Sequence, residues 1–181
     1  MCKQTLERMM NYERGAIVLR DETSGAFELL AHAQMNLDDN AYQQELERVR
    51  GFFRLPQGIT RGVAEHGELI RTGDARSDPR YVEAAPLIQS EMAVPLKLGE
   101  RTIGAINVES VRPNAFGEHD ERLMITVANV AAGAIENARL FEAERAARAQ
   151  AQALARRLVE TQEVERRALA RELHDRVGQS L

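Results

Sequence analysis

From Glu118 to Leu181 the chain contains no proline, and its only glycines there are Gly133 and Gly178. Proline removes a backbone donor and clashes with the preceding turn, so a run without it can continue as one helix. Glu118, Asp120 and Glu121 fall in the expected first turn, where the helix dipole favours carboxylates. As one straight helix the run is about 96 Å long at the usual rise per residue. A chain of 181 residues has no core that wide. One part of the helix must therefore pack on the rest of the chain, and the other part needs a different partner.

The change in texture falls near Phe141. Before it, Leu123, Val127, Val130, Ala134, Ala138 and Phe141 predict a broad apolar face that packs on a sheet. After it, Leu140, Ala147, Leu154, Thr161 and Ala168 recur at heptad spacing, with Ala151, Leu158 and Glu165 beside them. This is a thin seam of mostly small residues flanked by Arg and Glu. A helix so polar and long is not stable alone in water. A parallel two-helix coiled coil with a second copy is the simplest remedy, so a homodimer through the C-terminal helix is expected. A lone helix would leave Leu154, Leu158, Leu169 and Leu173 in water.

The residues before Glu118 have a mixed pattern. Thr5 to Glu13 reads as a short helix. Gly15–Asp21 is an apolar strand, Glu22–Gly25 has turn chemistry, and Ala26–Met35 resumes as a strand. Together they predict an antiparallel hairpin. Helices are expected over Ala41–Phe53 and Gly58–Glu68, the second stopped by Gly67. A short strand follows at Leu69–Asp74, then an irregular loop with a helical turn at Ser77–Pro86. Glu91–Val111 forms two alternating runs across Gly99-Glu100, a second hairpin. The fold class is thus α+β, an antiparallel sheet with flanking helices followed by a long C-terminal α-helix.

Composition narrows the function classes. Hydrophobic residues make up 44% of the chain, enough for a core, but aromatics are 4% with no Trp, so aliphatic side chains must do the packing. A formal charge of −4 gives no reason to expect nucleic acid or an anionic membrane as partner. The single cysteine, Cys2, excludes an internal disulfide and a Cys-based metal site, and suits a reducing compartment. No apolar run approaches the roughly 20 residues of a membrane span, and the N-terminus lacks a signal-peptide core. The expected location is cytoplasmic.

The segment Glu165–Leu181, "ERRALARELHDRVGQSL", sets His174 inside the helical run. Asp175 and Gln179 are four apart and share a helix face, with His174 next to Asp175. A carboxylate can take a hydrogen bond from one imidazole nitrogen and fix the tautomer, leaving the other nitrogen as a nucleophile. An ordinary imidazole is largely neutral near pH 7. An amide such as Gln179 can hold a water in line with a phosphoryl group. The trio suits phosphoryl transfer in both directions, although an exposed histidine on a charged helix is also common. No G-x-G-x-x-G or G-x-x-x-x-G-K-[ST] occurs, so nothing in the chain is expected to bind ATP.

Two resemblances add to this reading. Glu13–Gly25 ("ERGAIVLRDETSG"), Gly58–Ile70 ("GITRGVAEHGELI"), Asp74–Tyr81 ("DARSDPRY"), Ser90–Ser110 ("SEMAVPLKLGERTIGAINVES") and Ala115–Glu142 ("AFGEHDERLMITVANVAAGAIENARLFE") resemble a GAF domain, a small-molecule sensor fold. The resemblance covers roughly residues 11–142. It implies a ligand pocket on one face of the sheet; members of the family bind cyclic nucleotides, haem, bilins or small metabolites, and the residues do not choose among them. A covalent bilin needs a pocket cysteine, and Cys2 is the only one. His32, His66 and His119 are the conceivable haem ligands, but their settings in a strand, before a helix stop and in an acidic turn favour ordinary structural roles.

Glu165–Leu181 resembles the phosphoacceptor helix of sensor histidine kinases, in the subclass with His-Asp followed by Gln. The resemblance implies His174 as the phosphoacceptor, Asp175 as its acid/base partner and Gln179 as the phosphatase-assisting amide. It also implies a dimer-core stripe of Leu169, Leu173, Val177 and Leu181.

The expected organisation is a sensor domain over 1–141, a coiled-coil signalling helix over 142–164 and the start of a phosphoacceptor helix over 165–181. No metal and no cofactor is expected in this chain itself. ATP and Mg belong to a separate kinase domain, and a response regulator receives the phosphate. The alternative expectation is a dimeric small-molecule-binding sensor without phosphoryl chemistry. A metal phosphohydrolase of the His-Asp type is disfavoured, because the helix around His174 offers no second histidine.

Overall fold

Branched and aliphatic residues in short runs give five strands, and the long stretches without breakers give helices. The computed structural model describes residues 12–21, 23–34, 39–52, 57–83 and 87–178. Side chains are described over the same residues except 39–41, 52, 164 and 168–178. The expected helix over Thr5–Glu13 lies largely outside the described residues. The elements are β1 (Arg14–Arg20), β2 (Phe27–Gln34), α1 (Asp39–Phe52), α2 (Ile59–His66), β3 (Ile70–Thr72), β4 (Ser90–Leu98), β5 (Arg101–Ser110) and α3 (Glu118–Gly178). A single 3-10 turn, Ala75–Ser77, stands at the start of the loop expected to be irregular.

The strands form one antiparallel sheet in the order β2-β1-β5-β4-β3. Both predicted hairpins are present. The first turns through Asp21, whose carboxylate accepts from the amides of Thr23 and Ser24 at 3.1 and 2.6 Å. Gly25 follows at φ 70°, a conformation that suits glycine. The second is a tight turn at Gly99-Glu100, with Leu98 opposite Arg101. At the centre, β1 and β5 run so close that a Cβ on Gly104 would collide with the Val18 carbonyl oxygen.

Period-two alternation gives the sheet two faces. One face carries Ala16, Val18, Ala93 and Ala105, which form a core with Val49 of α1 and Ile59, Val63 and Ala64 of α2. Three alanines in this set let α2 lie close to the strands. Its end is fixed by Gly67 at φ 72°, whose amide donates to the Val63 carbonyl. The other face carries Ile17, Ile106 and Val108, which line an apolar cavity of about 310 Å³ with Met124 of α3.

The buried stripe of α3 differs from the expected one. Met124, Ala128 and Ala132 are buried, whereas Val130 and Phe141 are 69% and 58% exposed. The sequence from Leu123 to Ile135 is apolar on several sides, so periodicity alone did not choose the face. Small residues won it, because they bring the helix closest to its neighbours.

The first turn of α3 is tied to the sheet edge. Arg71 of β3 donates to the Phe116 carbonyl at 3.0 Å and pairs with Glu121 at 3.3 Å. The Asn114 amide donates to the Gly73 carbonyl at 3.0 Å. Asp120 accepts from the Gly117 amide at 2.8 Å and so caps the helix entry.

The chain divides into two compact units, Met1–Ala134 and Ile135–Leu181. The second unit is the remainder of α3, and its described side chains from Phe141 onward are exposed. Leu154 and Leu158 are among them. No helix among the described residues is long and apolar enough to cross a membrane.

Candidate functional site

Pairing register builds a polar row at one end of the α1/α2-covered face. Arg14 of β1 lies opposite Glu109 of β5, and Glu109 lies opposite Glu91 of β4. The next row inward is Ala16, Asn107 and Ala93. Period two sends all of these side chains to the same face as the alanine core. A buried charged row in a sheet of otherwise aliphatic residues is costly unless each group is bonded.

The bonds are specific. Arg14 donates to Glu109 Oε2 at 3.0 Å and to Glu45 Oε1 of α1 at 2.8 Å. Asn107 Nδ2 is shared between Glu91 Oε1 at 3.4 Å and Glu109 Oε1 at 3.3 Å. Its Oδ1 accepts from the Ala16 amide at 2.9 Å. Thr60 of α2 donates to Glu91 Oε1 at 2.9 Å. Arg48 closes the outer side by donating to both Glu45 oxygens at 2.9 and 2.6 Å. Each element over this face thus contributes a polar anchor to it.

Two carboxylates, Glu45 and Glu109, share the deeply buried guanidinium of Arg14, and the third, Glu91, lies opposite Glu109 without it. Glu45 is partly buried, which raises its pKa, but the Arg48 bonds and the charge of Arg14 outweigh that and hold it low. Burial pushes Glu91 up to about 8, with the Glu109 charge adding to the rise and the Thr60 and Asn107 bonds opposing it. Burial also raises Glu109, while Arg14 pulls it back. Arg14 bonds Glu109, so of the pair Glu91 holds its proton the more firmly. Tyr81 is pushed up to about 12 by burial and by Glu109 and Glu91. It therefore stays neutral.

This row was not singled out from the sequence. Its signal was legible in outline: Glu91, Asn107 and Glu109 interrupt two strands at positions that period two places with Ala93 and Ala105. Arg14, written as a residue before the first strand, belongs inside it.

The histidines weighed earlier have structural settings. His32 of β2 stacks on Tyr42 with ring centroids 5.8 Å apart. His66 Nδ1 lies 2.8 Å from the Gly62 carbonyl, and His119 is exposed in the first turn of α3. No group of three potential metal-ligating side chains occurs among the described residues. His174 and Asp175 lie on α3, but their side chains are outside the described residues, as are Gln179 and Leu181. Cys2 also lies outside them.

A sheet of this order, with a buried face under α1 and α2 and a long closing helix, matches a known family. The sequence profile of the GAF domain matches residues 1–136. The chain belongs to the GAF family. Solved structures agree on the fold. The GAF domain of an Acinetobacter phosphoenolpyruvate-protein phosphotransferase superposes with a TM-score of 0.61 at 20% identity, covering 77% of this chain and 80% of that one. Type II free methionine-R-sulfoxide reductase from Thermoplasma acidophilum gives 0.58 at 21% identity, covering 73% and 84%. A domain from Sinorhizobium meliloti 1021, described as part of a two-component sensor histidine kinase, gives 0.56 at 20% identity, covering 78% and 90%. At such identities the likeness is one of fold alone. None of the curated proteins matches the chain.

Proposed function

We propose that this GAF chain is the sensory and dimerising portion of a cytoplasmic two-component sensor histidine kinase. The observation that carries the reading is the continuity of α3. One helix starts at Glu118 against the sheet and runs to Gly178, through the His174-Asp175 pair. The polar row is where a small molecule acts on the domain, and the helix is the output. Two copies pair along α3 through the Leu154 and Leu158 seam, both residues being exposed in a single chain.

In this reading His174 attacks the γ-phosphoryl group of ATP held by a separate kinase domain, which also holds Mg. The imidazole forms the new N–P bond as the bond to ADP breaks, and Asp175 holds the ring in the tautomer that leaves the attacking nitrogen free. Phosphate then passes to the aspartate of a response regulator, and Gln179 orients water for the reverse hydrolysis.

The test is phosphorylation in trans. The chain is mixed with ATP, Mg and the catalytic domain of a related kinase, and acid-labile, base-stable phosphate is measured. Label that depends on His174 supports the kinase reading. Absence of label, with a dimer intact, favours a ligand-binding module without phosphoryl chemistry.

A further inference from the structure

The cluster beneath α2 holds more carboxylates than it has cations to match. Glu91 is 4% exposed and Glu109 8%. The one guanidinium buried among them, Arg14, is already divided between Glu109 and Glu45. The groups that act directly on Glu91 are neutral or negative. From α2 comes the Thr60 hydroxyl, from β5 the Asn107 amide and Glu109, and from the loop after β3 the neutral phenol of Tyr81 and the charge of Asp78. α1 adds one carboxylate and one cation to the cluster, Glu45 and Arg48, paired with each other at 2.6 Å. Both the Thr60 and Asn107 donors converge on Glu91 Oε1, at 2.9 and 3.4 Å.

We propose that the Glu91–Glu109 pair makes the sheet face beneath α2 a proton-controlled gate, shut while Glu91 holds a proton and releasing that proton each time α2 lifts. In the closed state an ionised Glu91 would lie buried opposite Glu109, whose charge is matched by Arg14 while its own is not. Once α2 lifts, Thr60 leaves, water reaches the carboxyl, and Glu91 ionises as an ordinary glutamate. Opening is therefore written as closed Glu91-COOH going to open Glu91-COO⁻ plus H⁺, a balanced step with solvent as the proton acceptor. Its equilibrium is drawn toward opening as protons become scarce. This couples access to the candidate ligand face to pH, and it holds whether or not α3 carries phosphoryl chemistry.

Hydrogen exchange tests the gate on the full chain. The reporters are the α2 amides of Gly62 and Gly67, bonded to the carbonyls of Gly58 and Val63. Release of one proton makes the opening equilibrium rise about tenfold per pH unit between the ordinary glutamate range and about pH 8, with a plateau above. After correction for intrinsic exchange, wild-type protection should fall by that slope. Glu91→Gln should remove it, leaving protection flat. Glu109→Gln relieves the like charge, so the plateau should begin at lower pH. A flat wild-type profile, or an unchanged slope in Glu91→Gln, overturns the proposal. Should Glu91→Gln not fold, the carbon-13 titration of the Glu91 carboxyl decides: a midpoint in the ordinary glutamate range overturns it, and a midpoint near 8 that falls in Glu109→Gln supports it.

Discussion

Arg14 and Glu109 face each other across β1 and β5, their charged atoms 3.0 Å apart and almost wholly removed from water. Breaking one side of such a pair leaves the other charge buried and uncompensated. Arg14→Met should therefore destabilise the protein by about 3–5 kcal/mol in urea unfolding. Arg50→Ala, at an exposed pair with Glu47, should change stability by less than about 1 kcal/mol. Similar costs for the two variants would show that the buried pair contributes little.

Two sets of carboxylates predict opposite limbs of the pH–stability curve. Glu91 has its folded pKa raised from the ordinary value of 4.5 to about 8. Its contribution is present in full below the unfolded pKa and is lost as pH rises through the folded one. Burial raises Glu45, but its arginine bonds outweigh it and hold it low, and an arginine bond holds Asp78 low against burial. Their contributions are present above their unfolded pKa and are lost as pH falls through the folded one. Urea titrations should find a stability maximum on the acid side of neutrality, and the decline from the ordinary glutamate range up to about pH 8 should flatten in Glu91→Gln.

Two glycines should respond in opposite directions to alanine. A Cβ at Gly104 would meet the backbone of Val18 and Leu19, which cannot move aside without parting β1 from β5. Gly104→Ala should cost at least about 1–3 kcal/mol. A Cβ at Gly62, in α2, meets nothing within 4 Å. Gly62→Ala should raise stability by about 0.5–1 kcal/mol through helix propensity. Thermal unfolding of both variants checks the pair of signs.

Pairing of chains should depend on the thin seam of α3. Leu154 and Leu158 are 54% and 66% exposed, so charging them should not disturb the GAF domain. Leu154→Asp with Leu158→Asp should convert a sedimenting dimer to monomer at an unchanged Tm for the domain. A wild-type monomer at high concentration would remove the coiled coil from consideration.

The phosphoryl reading makes three distinct forecasts for the helix. His174→Ala should abolish acid-labile phosphate. Asp175→Asn should slow its appearance by on the order of 10²-fold, the usual scale for loss of an acid–base partner. Gln179→Ala should leave the forward step intact and prolong the lifetime of the phosphorylated response regulator. Equal loss in all three would point to a folding defect instead.

Much of the frame was legible in the sequence because its signals are local. Gly67, Gly99 and the acidic start at Glu118 each mark a boundary by backbone chemistry, and each boundary is found there to within a residue or two. The sheet-facing side of α3 was not legible, because Val130 and Met124 are equally apolar and only the packing of Ala128 and Ala132 selects between them. The polar row was missed for a related reason. Arg14, Glu45, Glu91 and Glu109 are far apart in the chain, and only strand register brings them together. What distinguished Glu91 and Asn107 from surface residues was their alternation with core alanines, a pattern meaningful only once one knows that both faces of the strand are covered.

The phenol of Tyr42, on α1, donates at 2.7 Å to the carbonyl of His32 on β2, the strand at one end of the sheet. An outermost strand normally offers such oxygens to any passing extended peptide, which is how sheets fuse into aggregates. Here a side chain from the neighbouring helix already occupies that rung. Rib-to-rib stacking of molecules is obstructed at this margin, so self-association is steered away from backbone templating, a safeguard for a protein expected to meet its own copies often.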